Sequence, residues 1–350
     1  MKSFVVGSHR IGPGEPCFIV AEIGINHNGS MDLARSMIAA AAEAGADAVK
    51  FQNYYTEDFL SDSTLTYEYV SGGKTVVEPQ FDMFKRCELS AAQLAELQKF
   101  TLSKDVEFFS TPTSERGLAE LVKLGVPILK NGSDYLGHLP LIRAMAKSGI
   151  PTVLSTGMAT LEDIEDGVQA YREAGGRDLV LLHCTSSYPT PDAEVNLDKI
   201  TTLAAAFGCH VGFSDHTWGT LAAQGACMLG ACFVEKHFTT DRDLPGPDHR
   251  FSSTPAELAE LVTAIRRLKT MRGEQRIGPA PSEARGREQY RLSCVAATDL
   301  AAGHVLSIED VAFRRPGTGV LPKHVERLVG RQLARAVPKG QLLDDHEFIS

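Results

Sequence analysis

Apolar residues along this chain fall into two alternating kinds of segment. Short, nearly unbroken apolar runs recur at CFIVAEIG (17–24), DAVKFQ (47–52), VEFFST (106–111), PILKNGS (127–133), PTVLST (151–156), LVLLHCT (179–185), HVGFSD (210–215) and CFVEKHF (232–238). Between them lie longer stretches with apolar positions three and four apart, such as MDLARSMIAAAAEAG, AAQLAELQKFTLSK, LPLIRAMAKSG and TLEDIEDGVQAYREAG, several opened by a capping residue and closed by glycine. TPAELAELVTAIRRLKTMRG supplies a helical pattern after the eighth run. Eight strand-then-helix units over about 255 residues predict a closed (β/α)8 barrel, an α/β fold whose usual size is about 250 residues. An open doubly wound sheet is the alternative. The segment from Asn53 to about Leu89 is unusually long for a connection, and such loops are generally functional or mobile.

Barrel chemistry sits at the C-terminal ends of the strands, so what each run ends in matters most. The first ends in Glu22 with Asn26 and His27 behind it, the second in Lys50 and Gln52, the third in Ser110 and Thr111. The fourth gives Lys130 and Ser133, the fifth Ser155 and Thr156, and the sixth Thr185, Ser186 and Tyr188. The seventh gives Ser214, Asp215 and His216, the eighth Glu235, Lys236 and His237. Interior barrel layers prefer branched apolar residues, so this polar ring reads as a site. A single lysine at a strand end can snorkel to solvent. Two, Lys50 and Lys130, among the hydroxyls of Ser110, Thr111, Ser133, Ser155, Ser186 and Ser214, predict a pocket for a small polyanion such as a phosphate or carboxylate. No GxxxxGK[ST] or GxGxxG element follows a strand to suggest a nucleotide.

A single histidine is more often structural than a ligand. His216 and His237, however, occupy the same rim position on neighbouring strands, and two neutral nitrogens with open positions suit a divalent ion of the Mn²⁺, Fe²⁺, Co²⁺ or Zn²⁺ group acting as Lewis acid and template. Asp248 and His249, in the loop DRDLPGPDHRF, are expected to reach whatever that ion holds.

Charge and cysteine usage exclude other classes. A net charge of −9, a pI near 5.7 and no Lys/Arg run argue against a nucleic-acid surface. The N-terminus has no apolar core followed by a small-residue cleavage site, and no segment approaches about 18 uninterrupted apolar residues. The chain is therefore expected to be cytoplasmic, away from membranes. Seven cysteines, odd in number and never spaced C-x-x-C, are expected to be buried free thiols.

The strings AEIGINHNG (21–29), VKFQ (49–52), FFSTP (108–112), LSTGM (154–158), LLHCTSSYPTP (181–191), VGFSDHT (211–217), EKHFT (235–239) and PGPDH (245–249) resemble the sialic acid synthase family, in order and over essentially the whole chain. Members condense phosphoenolpyruvate with an N-acylated hexosamine to give nine-carbon nonulosonic acids. After the Pro/Gly/Arg-rich stretch 276–290, residues 291–350 turn to short strands and tight turns and resemble the antifreeze-like (SAF) domain of that family, which is swapped across a homodimer to cover the partner's barrel. The expected division is a barrel with an N-terminal extension (1–275), a linker (276–290) and a small, mostly β cap (291–350).

The resemblance implies roles residue by residue. Lys50, Thr111, Lys130, Ser133, Ser155, Ser186 and Ser214 hold phosphoenolpyruvate; His216 and His237 hold the metal, Mn²⁺ first, with Mg²⁺ or Co²⁺ as alternatives; Glu22 is the base that activates water. Gln52, Tyr188 and Asp248 bind the sugar, and Arg315 in FRRPGTG reaches its N-acyl group from the other subunit. After KNGS the chain reads Asp134-Tyr135, where sialic acid synthases commonly have Gly-Glu, which removes one acceptor for sugar hydroxyls. N-acetylmannosamine is the leading acceptor, and a 2,4-diacylamino-6-deoxy hexose of the legionaminic or pseudaminic type stays open. Outside this class, a 3-deoxy sugar phosphate synthase needs a further basic cluster, and a non-catalytic carbohydrate-binding protein has no use for Glu22, two lysines and two histidines together.

Overall fold

Each apolar run forms one strand of a single sheet in the computed structural model, which describes residues 1–349. The strands are β1 (Phe18–Gly24), β2 (Ala48–Asn53), β3 (Glu107–Pro112), β4 (Leu129–Asn131), β5 (Thr152–Ser155), β6 (Leu179–Cys184), β7 (His210–Asp215) and β8 (Phe233–His237). Their spatial order is β3-β2-β1-β8-β7-β6-β5-β4, and every hydrogen-bonded neighbour is parallel. The last strand pairs with the first, from Phe233 opposite Phe18 to His237 opposite Glu22. That pairing closes the sheet into a barrel and excludes the open doubly wound alternative. Only β3 and β4 lie side by side without a ladder.

Buried on both faces, the strands carry none of the alternation of a half-exposed sheet, which is why they read as continuous apolar runs. Eight helices cover them: α1 (Met31–Glu43), α2 (Ala91–Leu102), α3 (Glu115–Leu124), α4 (Leu139–Lys147), α5 (Leu161–Glu173), α6 (Lys199–Phe207), α7 (Leu221–Met228) and α8 (Pro255–Arg272). Their starts are set by local chemistry. Ser90 with Gln93, Thr160 with Asp163 and Thr254 with Glu257 form capping boxes, and Pro255 takes the first position of α8, where no N–H is missed. Arg266 of α8 reaches Asp47, just before β2, at 2.6 Å and ties the last helix to the first strands. A hairpin of Phe4–Val6 and His9–Ile11 precedes β1, with Val6 and Ile11 fully buried.

The long segment after β2 is more ordered than its length suggested. It holds a short helix (Thr56–Phe59), a hairpin of Thr66–Ser71 with Lys74–Pro79, and a helix (Gln80–Cys87). Gly72 and Gly73 have φ of +54° and +73°, the pair of positive values that a tight two-residue hairpin turn demands. Tyr54, Met83, Cys87 and Ile25 form a separate small apolar core with Phe59 and Phe84 packed on it. Glu88 accepts from the N–H and hydroxyl of Thr56, pinning the base of the segment.

By contacts the chain divides into two units, Met1–Gly273 and Glu274–Ser350. In the second, Ser293–Ala296 pairs antiparallel with Val311–Arg314 over a core that includes Cys294, Leu300, Leu306, Leu333 and Phe348. Residues 284–290, expected as linker, form a short helix within this unit. Among the described residues no helix is long and apolar enough to cross a membrane.

Candidate active site

The C-terminal strand ends surround a cavity of about 510 Å³. Glu22, Lys50, Gln52, Thr111, Lys130, Ser133, Ser155, Ser186, Tyr188, Ser214, His216, His237 and Asp248 all line it. Arg315 belongs to the second unit, where its guanidinium lies 5.3 Å from the centre of the Tyr290 ring.

Strand register brings the charges together. Glu22 of β1 is directly opposite Lys50 of β2, and Ser214 of β7 opposite Glu235 of β8. Lys50 Nζ lies 2.8 Å from Glu22 Oε2 and 3.9 Å from Glu235 Oε2, and donates to Thr111 Oγ1 at 3.1 Å. Lys130 Nζ lies 3.8 Å from Glu235 Oε1 and donates to Ser155 Oγ at 2.6 Å. Ser214 completes the group by donating to Glu235 at 3.2 Å. Two cations and two carboxylates are thus interleaved, each at most 5 % exposed.

Burial and charge work against one another here. Burial drives the Glu22 carboxyl up, Lys50 opposes it, Glu235 reinforces it, and the outcome is about 7. Glu235, also buried, is nonetheless held below the usual carboxylate range by Lys130 and Lys50. Burial pulls Lys130 down despite Glu235, while at Lys50 the two carboxylates outweigh burial and raise it. Glu235 was visible as a strand-end residue without a role; the structure makes it the carboxylate shared by both lysines.

Two residues beyond Ser155, Gly157 allows a cradle. A Cβ there would come 2.3 Å from Ser186 Oγ and 2.6 Å from Ser133 Oγ, so only glycine lets both hydroxyls converge. The Gly157 N–H donates to Ser133 Oγ at 3.1 Å. Cys184 lines the cavity beside them, 3.6 Å from Ser133 Oγ.

The histidine pair meets as its strand positions predict, with ring centres 5.4 Å apart. His216 Nδ1 is 2.8 Å from the Thr185 carbonyl, which can only accept, so that nitrogen carries a proton and Nε2 is the one left for a ligand once the ring is neutral; burial lowers the ring's pKa, but Cys184 and the Thr185 carbonyl outweigh it and raise it. His237 Nδ1 is buried without a hydrogen-bond partner, and Asp248 Oδ2 lies 3.8 Å away. Burial raises the Asp248 carboxyl to about 6, against the pull of His216. Among the described residues no three His, Cys, Asp or Glu side chains gather as a metal cage. In their neutral forms His216, through Nε2, and His237, whose Nδ1 has no partner, fit an ion held by two nitrogens and completed by water or substrate.

His249 departs from expectation. Its Nδ1 is 2.7 Å from Thr239 Oγ1 and its Nε2 is 3.2 Å from Asn28 Nδ2, so both nitrogens are engaged and the ring is buried away from the cavity. The far wall is apolar: Ile25, Tyr54, Phe59, Tyr67, Met83 and Phe84 line it, nearly all supplied by the long segment after β2. These wall residues were not legible as site residues, because the segment's own fold decides which of them face inward.

The NeuB family model matches residues 37–277, and the SAF domain model matches residues 293–349. The chain is 40% identical to an uncharacterized protein of Methanocaldococcus jannaschii, covering 95% of each chain. It is 38% identical to the N,N'-diacetyllegionaminic acid synthase of Legionella pneumophila, covering 95% of this chain and 94% of that one. A crystal structure of N-acetylneuraminic acid (sialic acid) synthetase from Leptospira borgpetersenii, in complex with citrate, superposes with a TM-score of 0.74 at 34% identity, covering 81% of this chain and 95% of that one.

The raised Glu22 carboxyl has a consequence for stability. Relative to the unfolded chain, the native state holds this proton more tightly, so stability is lost as pH rises from about 4.5 through about 7. Glu22→Gln removes that loss. In thermal melts the melting temperature of the variant minus that of the parent should be more positive at pH 8 than at pH 5; an equal or reversed difference contradicts the raised carboxyl.

Proposed function

This chain belongs to the NeuB family, and from that premise we propose that it joins phosphoenolpyruvate to the open-chain aldehyde of an N-acyl hexosamine, giving a nonulosonic acid and phosphate. The observation that carries the reading is the pair of buried lysines, each facing a carboxylate, at the wall of a cavity that also holds the His216–His237 pair. Lys50 and Lys130 bind the phosphate and carboxylate of phosphoenolpyruvate, and Thr111, Ser133, Ser155, Ser186 and Ser214 hydrogen-bond its oxygens. Burying those oxygens among charge-assisted donors fixes the enol for attack by its C3 on the aldehyde carbon.

His216 and His237 would hold a divalent ion, for which we propose Mn²⁺, supplying Lewis-acid polarisation of the aldehyde. Gln52, Tyr188 and Asp248 orient the sugar through its hydroxyls. As C2 of the former enol becomes electron-poor, Glu22 accepts a proton from water and the hydroxyl adds there. A carboxyl poised at about 7 suits that exchange near neutral pH. Phosphate then leaves by C–O cleavage, its charge held by the lysines.

The apolar wall favours a second reading of the acceptor over N-acetylmannosamine. A 2,4-diacylamino-6-deoxy hexose presents a methyl and a second acyl group where N-acetylmannosamine presents hydroxyls, and Tyr54, Phe59, Met83 and Phe84 offer it apolar contact. The apolar Met158, Leu161, Trp218 and Leu221, exposed in the segments that follow β5 and β7, support a homodimer as well.

Phosphate release from phosphoenolpyruvate, measured with each sugar, tests the reaction and the acceptor together. Release should require a sugar, stop in chelator, return with Mn²⁺, and be faster with the diacylamino sugar. Mn²⁺ binding followed by electron paramagnetic resonance should weaken in His216→Ala and His237→Ala. Release without sugar, or full turnover in chelator, overturns the reading; a preference for N-acetylmannosamine overturns only the acceptor. In sedimentation at micromolar concentration we expect a species of twice the 37.8 kDa chain mass; a monomer contradicts the dimer.

A further inference from the structure

Four of the seven cysteines gather at the end of the barrel opposite the cavity. Cys17, Cys209 and Cys232 immediately precede β1, β7 and β8, and Cys227 lies in the last turn of α7. Cys232 is close enough to Cys17, Cys227 and Cys209 to feel their charge. The closest approach is between residues distant in sequence: Cys227 Sγ is 3.4 Å from Cys17 Sγ. A disulfide needs about 2.05 Å between sulfurs, so the pair stands roughly 1.3 Å short of bonding distance. The other thiols are occupied differently, Cys232 donating to the Val211 carbonyl at 3.3 Å.

The pair sits at the seam where the barrel closes. Phe18, next to Cys17, donates its N–H to the Cys232 carbonyl at 2.9 Å and stands opposite Phe233 in the β1–β8 ladder. Arg266 holds the Cys17 carbonyl from α8. The backbone on the Cys17 side is thus held at both the Cys17 carbonyl and the Phe18 N–H. Both residues are buried, with exposures of 9 % at Cys17 and 8 % at Cys227, so exchange with a disulfide reagent proceeds through local opening of the seam.

We propose that Cys17 and Cys227 are a reversible thiol–disulfide site that fastens the first strand to α7 across the closing seam. The oxidant is a low-molecular-weight disulfide of the glutathione class. One cysteine thiolate attacks an oxidant sulfur and expels one small thiolate; the other then displaces the second. Two protein S–H groups are oxidised, one oxidant S–S bond is reduced, and the two protons pass to the small thiols released. The Cys227 contact, together with burial, raises the Cys17 thiol well above its ordinary value, so the exchange is slow at neutral pH and quickens as pH rises. This site is independent of the proposed reaction, since nothing in the cavity takes part.

The native full-length chain is incubated with glutathione disulfide in excess over glutathione, acid-quenched, alkylated, digested without reduction and analysed by mass spectrometry. The expected product is one linked peptide pair containing Cys17 and Cys227, reversed by dithiothreitol and absent in Cys17→Ser and Cys227→Ser. The oxidised chain should melt about 5 °C or more above the reduced one, because the link closes a very long loop of the unfolded chain. The proposal is overturned if Cys17 or Cys227 pairs preferentially with Cys209 or Cys232. It is equally overturned if both thiols stay free under conditions that oxidise the urea-unfolded chain.

Discussion

Everything at the strand ends depends on four ionisable groups sealed together, Glu22, Lys50, Lys130 and Glu235. Each alone would cost several kcal/mol to bury, and removing one partner of such a buried pair typically costs about 3–5 kcal/mol. They are tolerable because each charge has an opposite one within reach: β1 beside β2 sets Glu22 against Lys50, and Glu235 of β8 lies 3.9 Å from Lys50 and 3.8 Å from Lys130. Such an arrangement is a weak contributor to net stability compared with apolar packing. Its retention at the cavity wall makes sense as a preorganised receptor for an anion, whose oxygens can replace the carboxylates around the ammonium groups.

That logic divides the cavity by chemistry. Lysines and hydroxyls from β2 to β7 make one wall, the two imidazoles of β7 and β8 a second, and the apolar face from the segment after β2 a third. The first two rest on strands locked by the ladder. The third rests on its own small core and on the Glu88 tether, apart from the ladder that holds the barrel. In the proposed reading the anion is bound on the rigid frame and the acceptor is chosen on the separately folded segment.

Much of the frame was legible in the sequence, because doubly buried strands leave continuous apolar runs whose ends must be where polar side chains begin. Lys50, Lys130, His216 and His237 were found that way. What escaped was whatever depends on the path of a loop. His249 follows Asp248 directly, yet the turn through His249–Phe251 sends one side chain into the cavity and the other into a hydrogen-bonded pocket with Thr239 and Asn28. The hairpin at 66–79 did have a signal, two glycines between alternating residues, that a reading by loop length passed over. The approach of Cys17 to Cys227 had none, since no local pattern links residues so far apart.

The central claim is that Lys50 and Lys130 form the anion receptor. Phosphoenolpyruvate binding to the parent chain and to Lys130→Met, measured by isothermal titration calorimetry at pH 7 without sugar, tests it most directly. The methionine keeps the length of the stem and removes the charge. Losing a charge-assisted contact worth about 1.5–3 kcal/mol predicts binding weaker by roughly 10- to 100-fold, with the fold intact by circular dichroism. Unchanged affinity in a folded variant would contradict the account.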